Sequence, residues 1–150
     1  EVDTTDGDVE LVVNGEVKNL KSLEITGDNN VTLYVRQDFS NNGDINTGPD
    51  SGDATQLRTI VHSDGTVSND GNSLYVGLLY APGSEVDFNG GGGPGVNIRG
   101  AVIGETADVN GDPNEFEYDE DLEGLGLGLG SNAPKIRYLH VSTTEVEVDD

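Results

Sequence analysis

The sequence contains no cysteine. This absence excludes disulfides and thiolate chemistry, but it assigns no compartment, because cytosolic and secreted proteins can both lack cysteine. No apolar run approaches the roughly 18 residues that a membrane-spanning helix needs. The opening residues also lack the pattern of a signal peptide.

Basic residues are scarce: the chain has 7 Lys and Arg against 29 Asp and Glu, which gives a net charge of −22. A nucleic-acid partner is excluded, because binding phosphates requires a basic stripe and none is present. Unaided docking on anionic lipid is disfavoured for the same reason. The acids are divided evenly between the two halves of the chain, so the whole surface is expected to be acidic.

Two explanations of this charge compete. High charge with few apolar residues is typical of disorder, but 33% of these residues are apolar and they occur in patterned clusters. The other explanation is a folded protein adapted to high salt. At molar salt the Debye length falls to about 3 Å, so repulsion between the acids is largely screened. The sequence favours this halophilic interpretation.

Short runs of β-branched and aromatic residues, separated by Gly, Asn and Asp, predict an all-β chain. No long window has helical periodicity, and residues 1–150 are expected to form one domain, in which 1–8 are either a disordered segment or an edge segment outside the fold. Loops are expected at 40–53, at the Gly-rich 89–95 and at "GLGLGLG" (124–130). Strands are predicted near residues 9–13, 22–27, 30–36, 55–63, 73–81, 84–90, 95–104, 107–111, 115–119 and 135–148.

The pattern becomes repetitive from residue 73 onward. The Asn-Gly turn at 89–90 recurs at 110–111, an offset of 21 residues. A repeat of about 20 residues matches one coil of a parallel β-solenoid. The sequence therefore favours a single-domain β-solenoid, with an antiparallel β-sandwich as the alternative. The apolar residues expected to point inward are Val86, Phe88, Ile98, Val102 and Val109.

The segment "DVNGDPNEFEYD" has the oxygen spacing of a calcium loop. Its candidate ligands are Asp108, Asn110, Asp112, Asn114 and Asp119. Two departures weaken this interpretation. Proline occupies the sixth position, where a sharp turn needs glycine, and the twelfth position is Asp rather than a bidentate Glu.

The same segment also fits one rung of the solenoid. In that interpretation Asn110-Gly111 is the turn, Val109 points inward, and Phe116 and Tyr118 begin the next coil. The rung explains more of the pattern. No cofactor is therefore predicted, and calcium remains a secondary hypothesis.

Other candidate sites are weaker. His62 and His140 are the only histidines and are expected to point outward from strands. No "GxSxG" motif is present. Glu117 and Asp119 share a strand face as a glycosidase pair could, but 29 acids make such pairs common and aromatics for sugar stacking are only 5% of the chain. The chain is predicted not to be an enzyme. Asn30 begins the one N-glycosylation sequon, which is weak evidence of secretion.

Five short motifs occur in a characteristic order: Tyr80-Ala81-Pro82, Asn89-Gly90, Gly100-Ala101-Val102-Ile103-Gly104, Asn110-Gly111 and Tyr118-Asp119-Glu120-Asp121-Leu122. With the closing "IRYLHVSTTEVEV", this order resembles the secreted pilin-like domains of haloarchaea and bacteria, which are related to minor-pilin assembly proteins. The resemblance implies a β-rich extracellular or cell-surface domain with no established catalytic residues. It also implies that membrane attachment comes only through an N-terminal pilin-type helix, which the printed sequence does not include.

The predicted function is a non-enzymatic scaffold of a halophilic cell-surface or pilin-like protein. The alternative is an extracellular adhesion module for a glycan or a protein, with calcium as a candidate requirement. Expected partners are other surface or pilus-like proteins and, through the open end coils, further copies of this chain. A binding module should expose an aromatic cluster, whereas a scaffold should bury or scatter these side chains: Tyr75, Tyr80, Tyr118 and Tyr138.

Overall fold

The computed structural model describes residues 1–47, 52–62, 65–71, 73–90, 98–110, 116–123 and 125, except the side chains of 19, 20 and 90. Within these ranges the chain forms eleven strands and one short 3-10 turn, Glu120–Leu122. The strands are β1 (Val2–Asp3), β2 (Val9–Val13), β3 (Val17–Leu23), β4 (Ile25–Thr26), β5 (Val31–Val35), β6 (Phe39–Ile45), β7 (Leu57–Val61), β8 (Thr66–Gly71), β9 (Tyr75–Gly90), β10 (Ile98–Asn110) and β11 (Phe116–Tyr118).

The strands stack in parallel and form a β-solenoid of about four turns. The first face stacks β2, β5, β7, the middle of β9 and the middle of β10. The second face stacks β3, β6, β8 and the later parts of β9 and β10. The solenoid prediction is confirmed. The sandwich alternative is wrong, because the pairings among the described strands are parallel.

A third face is short, and one row of paired residues runs along it through successive coils. Ile45 pairs with Leu23 on one side and with Tyr75 on the other, and the row continues through Ile98 to Phe116. The strand β9 therefore crosses all three faces within 16 residues. The separate strands predicted at 73–81 and 84–90 are one bent strand for this reason.

The core lies inside the coils and follows the period-two alternation of the strands. Val31, Leu33 and Val35 all point inward, and their side chains are buried. Other large apolar side chains that are almost fully enclosed include Phe39, Ile45, Leu57, Val61, Val67, Leu79 and Ile98. The inward residues of successive coils belong to one apolar cluster, so the core is continuous along the axis.

Two glycines form the tight corner between the third and first faces in the last coils. Gly77 and Gly100 have φ angles of 153° and 137°, a region that other residues rarely adopt. They are stacked partners in β9 and β10. A Cβ at Gly100 would collide with the carbonyl oxygen of Gly77. Glycine is therefore required where these strands bend without a loop.

Several other predictions made along the chain differ from the structure. The separate strands predicted at 95–104 and 107–111 belong to one strand, β10, and the Asn89-Gly90 turn at the start of the predicted 89–95 loop lies within β9. Part of the predicted loop at 40–53 is strand β6, and β8 lies where no strand was predicted. Residues 1–8, expected to be a disordered or an edge segment, include β1, which pairs with β4, and Thr4, which is buried. The sequences of β6 and β8 are rich in Asn, Gly and Ser, which are typical of turns, but here these residues lie within strands. Residues 91–95, 126–130 and 135–148, which belong to other predictions, lie outside the described residues.

Candidate functional site

A buried asparagine ladder crosses two coils on the second face. Asn41 and Asn69 are stacked partners in β6 and β8, and both side chains are almost fully enclosed. The Asn41 Nδ2 group donates to Asn69 Oδ1 at 2.5 Å and to the Gly43 carbonyl at 2.6 Å. Asn69 Nδ2 donates to the Ser73 carbonyl at 3.2 Å, and the Ser73 hydroxyl donates back to Asn69 Oδ1 at 3.3 Å.

This ladder uses its polar atoms for structure rather than for binding. Each amide satisfies buried backbone or side-chain groups of the same or the adjacent coil, as buried polar atoms generally must. The next coil replaces asparagine by Phe88 at the equivalent position. At this one position of the coil, the inward residue therefore changes from asparagine to an apolar side chain.

The second buried polar pair joins the third face to the first. The Tyr75 hydroxyl donates to Thr59 Oγ1 at 2.9 Å across the core. Burial raises the pKa of Tyr75 well above its usual range, and the hydrogen bond with Thr59 opposes this only in part. A phenol held neutral inside the core supports packing and is not placed for acid–base chemistry with a substrate.

The candidate calcium ligands do not converge in the part of the chain that the structure describes. Asp108 and Asn110 are exposed near the end of β10, whereas Asp119 caps the 3-10 turn by accepting the Asp121 N–H at 3.0 Å. Asp112 and Asn114 lie outside the described residues. Among the residues described, no group of three or more His, Cys, Asp or Glu side chains could hold a metal ion.

The rung interpretation of this segment is confirmed in register. Asn110 is stacked on Asn89, and Val109 on Phe88, so the predicted 21-residue repeat is one coil. Val109 was expected to be buried, but its side chain is 45% exposed. No described strand covers this half of β10, so Val109 occupies an inward position at an open end. By contrast, Val86, Phe88 and Ile98 are buried as predicted, and Val102 packs against the core.

The remaining polar candidates have ordinary surface roles. His62 is exposed at the end of β7, as predicted, while His140 lies outside the described residues. Glu117 is exposed on β11 and accepts a hydrogen bond from Arg99 Nε at 3.2 Å. Asn30 precedes β5, and its side-chain amide donates to Asp8 Oδ1 at 3.1 Å.

The tyrosines that would mark a binding module do not form one exposed cluster. Tyr75 is fully buried, Tyr80 is half-buried and Tyr118 is 40% exposed. Tyr138 lies outside the described residues. Of the two arrangements considered for these side chains, the described part matches the scattered one.

The sequence analysis did not predict a column of apolar side chains on the outer side of the solenoid. It runs along the first face through stacked positions of β2, β5, β7, β9 and β10: Val12, Tyr34, Ile60, Tyr80 and Ile103. Val12 at its end is 59% exposed, whereas Ile60 in its middle is only 7% exposed. Tyr80 and Ile103 also pack against a second apolar cluster that includes Leu122 of the 3-10 turn. The alternation within each strand could have indicated these positions, but their alignment depends on the register.

The described chain is thus a parallel β-solenoid with an apolar core, in which Asn41, Asn69, Ser73 and Tyr75 form hydrogen bonds with other buried groups. The chain belongs to a family described as a domain of unknown function (DUF7305), whose model matches residues 1–125. No curated protein and no solved structure matches it. Among the described residues there is no helix with the length and hydropathy required to cross a bilayer.

Proposed function

We propose that this chain is a non-enzymatic structural domain of a halophilic cell-surface or pilin-like protein. The observation that carries the proposal is how the described solenoid uses its polar residues. Buried polar side chains bond within the core, as in the asparagine ladder, and outward acids lie on all three faces. Glu10, Asp87 and Glu117 are examples, one on each face.

The acidic shell supports a role in concentrated salt. A net charge of −22 opposes compaction at low ionic strength, and molar salt screens that repulsion. The stacked coils support a scaffold, because every coil is hydrogen-bonded to its neighbours along the axis and the result is a stiff rod. The order of motifs that resembles pilin-like domains supports a location at the cell surface.

Cell fractionation tests the location. An antibody against this domain should detect the protein in the envelope or shed-filament fraction of the source cells, together with a known surface protein. Limited protease treatment of intact cells should remove the signal while a cytosolic marker survives. Recovery in the cytosol with full protection from protease would overturn the proposal.

A second candidate is an extracellular adhesion module, and the outward apolar column favours it. Tyr34 and Tyr80 flank Ile60 on a sheet face, and amphipathic aromatic side chains suit the surface of a glycan or a protein. Replacing both tyrosines by serine should abolish retention on partner cells or polysaccharide if this column binds. Matched replacement of the exposed Val109 should leave that retention unchanged.

A further inference from the structure

The corner between β2 and β3 is a short bend that the neighbouring coil anchors at both ends. At the start of the bend, the Val13 carbonyl accepts a hydrogen bond from the Arg36 N–H at 3.1 Å. At its end, the Val17 N–H donates to the Asp38 carbonyl at 2.8 Å. Within the described part of the chain, no backbone hydrogen bond holds residues 14–16 between these two anchors.

The dipeptide Asn14-Gly15 occupies this bend. Neither residue forms a hydrogen bond within the described ranges, and the Asn14 side chain is exposed. A Cβ added at Gly15 would have no atom within 4 Å, so the backbone here lies in open space. Because glycine has no side chain, its backbone nitrogen can approach the side-chain carbonyl carbon of the preceding asparagine.

An asparagine in this arrangement can react with its own backbone. The Gly15 nitrogen attacks Asn14 Cγ, the Cγ–Nδ2 bond breaks, and Nδ2 leaves as ammonia with the proton that the Gly15 nitrogen gives up. Proximity within one chain favours this ring closure, which forms a cyclic imide. Water then adds OH to either imide carbonyl carbon and a proton to the nitrogen. The ring opens to aspartate or to isoaspartate, and no oxidant or cofactor is consumed.

The second Asn-Gly sequence, Asn42-Gly43, is held in a geometry that opposes this reaction. Both residues lie within β6. The Gly43 N–H donates to Asn41 Oδ1 at 3.2 Å, and a Cβ on Gly43 would collide with the backbone of Lys21. The nitrogen that would attack is therefore bonded, and its backbone is packed against β3. It can turn toward Asn42 Cγ only when this strand opens.

The third sequence, Asn89-Gly90, is held in a similar way. It lies at the end of β9, where Gly90 pairs with Gly71 of β8. Asn89 Nδ2 donates to Asp87 Oδ2 at 3.0 Å, so the side-chain amide already has a partner on its own strand. Gly111, which completes the fourth sequence, lies outside the described residues.

We propose that Asn14-Gly15 is a self-modification site, at which the folded chain converts asparagine into aspartate and isoaspartate with water as the co-reactant. The fold leaves this dipeptide free and holds the second and third Asn-Gly sequences in strands. Each modified copy gains one negative charge beside Glu16. The isoaspartate form also gains one carbon in the backbone of the bend. Since the hydrogen bonds of Val13 and Val17 lie outside the bend, the pairing of β2 and β3 should survive the change.

Peptide mass spectrometry of the full chain, incubated folded in molar KCl, tests this site. Trypsin releases residues 1–18, in which Asn14 is the only amide side chain, and residues 37–58, which include Asn42. The first peptide should gain the mass of a hydroxyl in place of an amino group and separate into aspartate and isoaspartate forms. Conversion at Asn14 should be at least roughly tenfold faster than at Asn42, because opening β6 costs free energy.

Unfolding the chain shows whether the fold makes this selection. In concentrated urea β6 no longer holds Gly43, so conversion at Asn42 should rise until the difference between the two peptides largely disappears. In the folded chain, Gly15→Ala should slow conversion at Asn14, because the added Cβ hinders the attacking nitrogen while the structure has room for it. The matched variant Asn42→Gln should leave conversion at Asn14 unchanged. Circular dichroism shows whether each variant is folded.

Several results would overturn the proposal. One is equal conversion of the two peptides in the folded chain. Another is a difference that persists in urea, because the local sequence rather than the fold would then select Asn14. Conversion that Gly15→Ala does not slow would indicate direct hydrolysis of the amide without a ring. Surface location is measured separately on cells, so failure of this proposal leaves the proposed function standing.

Discussion

Replacing Asn69 by alanine should destabilise the solenoid by about 2–4 kcal/mol. The change removes three hydrogen bonds: one from Asn41 Nδ2, one to the Ser73 carbonyl and one from the Ser73 hydroxyl. Each is worth roughly 0.5–1.5 kcal/mol net. Asn41 keeps its bond to the Gly43 carbonyl, and the Ser73 hydroxyl keeps its bond to the Asp70 carbonyl. The loss should therefore fall within that range rather than above it.

Urea denaturation at fixed molar KCl, followed by circular dichroism, measures the change in the free energy of unfolding. Ser68→Ala is the matched control, because Ser68 lies next to Asn69 and points outward with weak hydrogen bonds of 3.2 and 3.5 Å. It should change stability by less than about 0.5 kcal/mol. A loss below about 1 kcal/mol in Asn69→Ala would refute the view that the ladder stabilises these coils.

Four further outcomes are expected. Gly100→Ala should destabilise the solenoid by about 1–3 kcal/mol or more, because the φ angle of Gly100 is positive and an added Cβ would collide with the Gly77 carbonyl. The control Gly15→Ala should be nearly neutral in the same urea assay, because an added Cβ there has no atom within 4 Å. Because the pKa of Tyr75 is raised in the folded chain, the unfolded chain loses this proton first, and the free energy of unfolding should fall as pH rises above about 10. Urea titrations at several pH values should show a smaller fall in Tyr75→Phe. An equal fall in the variant would contradict the role of Tyr75. The midpoint of thermal unfolding should rise steeply between low and molar KCl, since the charge of −22 is then screened; a flat dependence would count against the halophilic explanation. At fixed molar KCl, the midpoint of thermal unfolding should be the same in millimolar calcium as in chelator. A midpoint that rises with the logarithm of the calcium concentration would instead identify a calcium site in the native state.

The solenoid was predictable from the sequence where coils are regular. The alternation of Val31, Leu33 and Val35 and the 21-residue offset between Asn89 and Asn110 are both found in the structure, although Asn89-Gly90 belongs to strand β9 rather than to a turn. Strands β6 and β8 were not predictable, because Asn41 and Asn69 resemble turn residues unless their partners in the next coil are known. A side chain that bonds across 28 residues leaves no local signal.

The outward apolar column was missed for a related reason. Its residues are aligned because the strands of successive coils pair in register, although the corners between them differ in length. Sequence spacing between Tyr34, Ile60 and Tyr80 is unequal, so no fixed period reveals them.

The corner between the third and first faces has a consequence for how this chain can vary in length. In one coil, eleven residues separate Ile45 from Leu57, whereas in the next Val76 alone separates Tyr75 from Gly77. Extra residues at the long corner leave the inward columns untouched, and doubling such a segment costs only about 0.6 kcal/mol in closure entropy. The tight glycine corners offer no such freedom. Peptide tags and natural insertions should therefore be accepted in the early coils and rejected in the late ones.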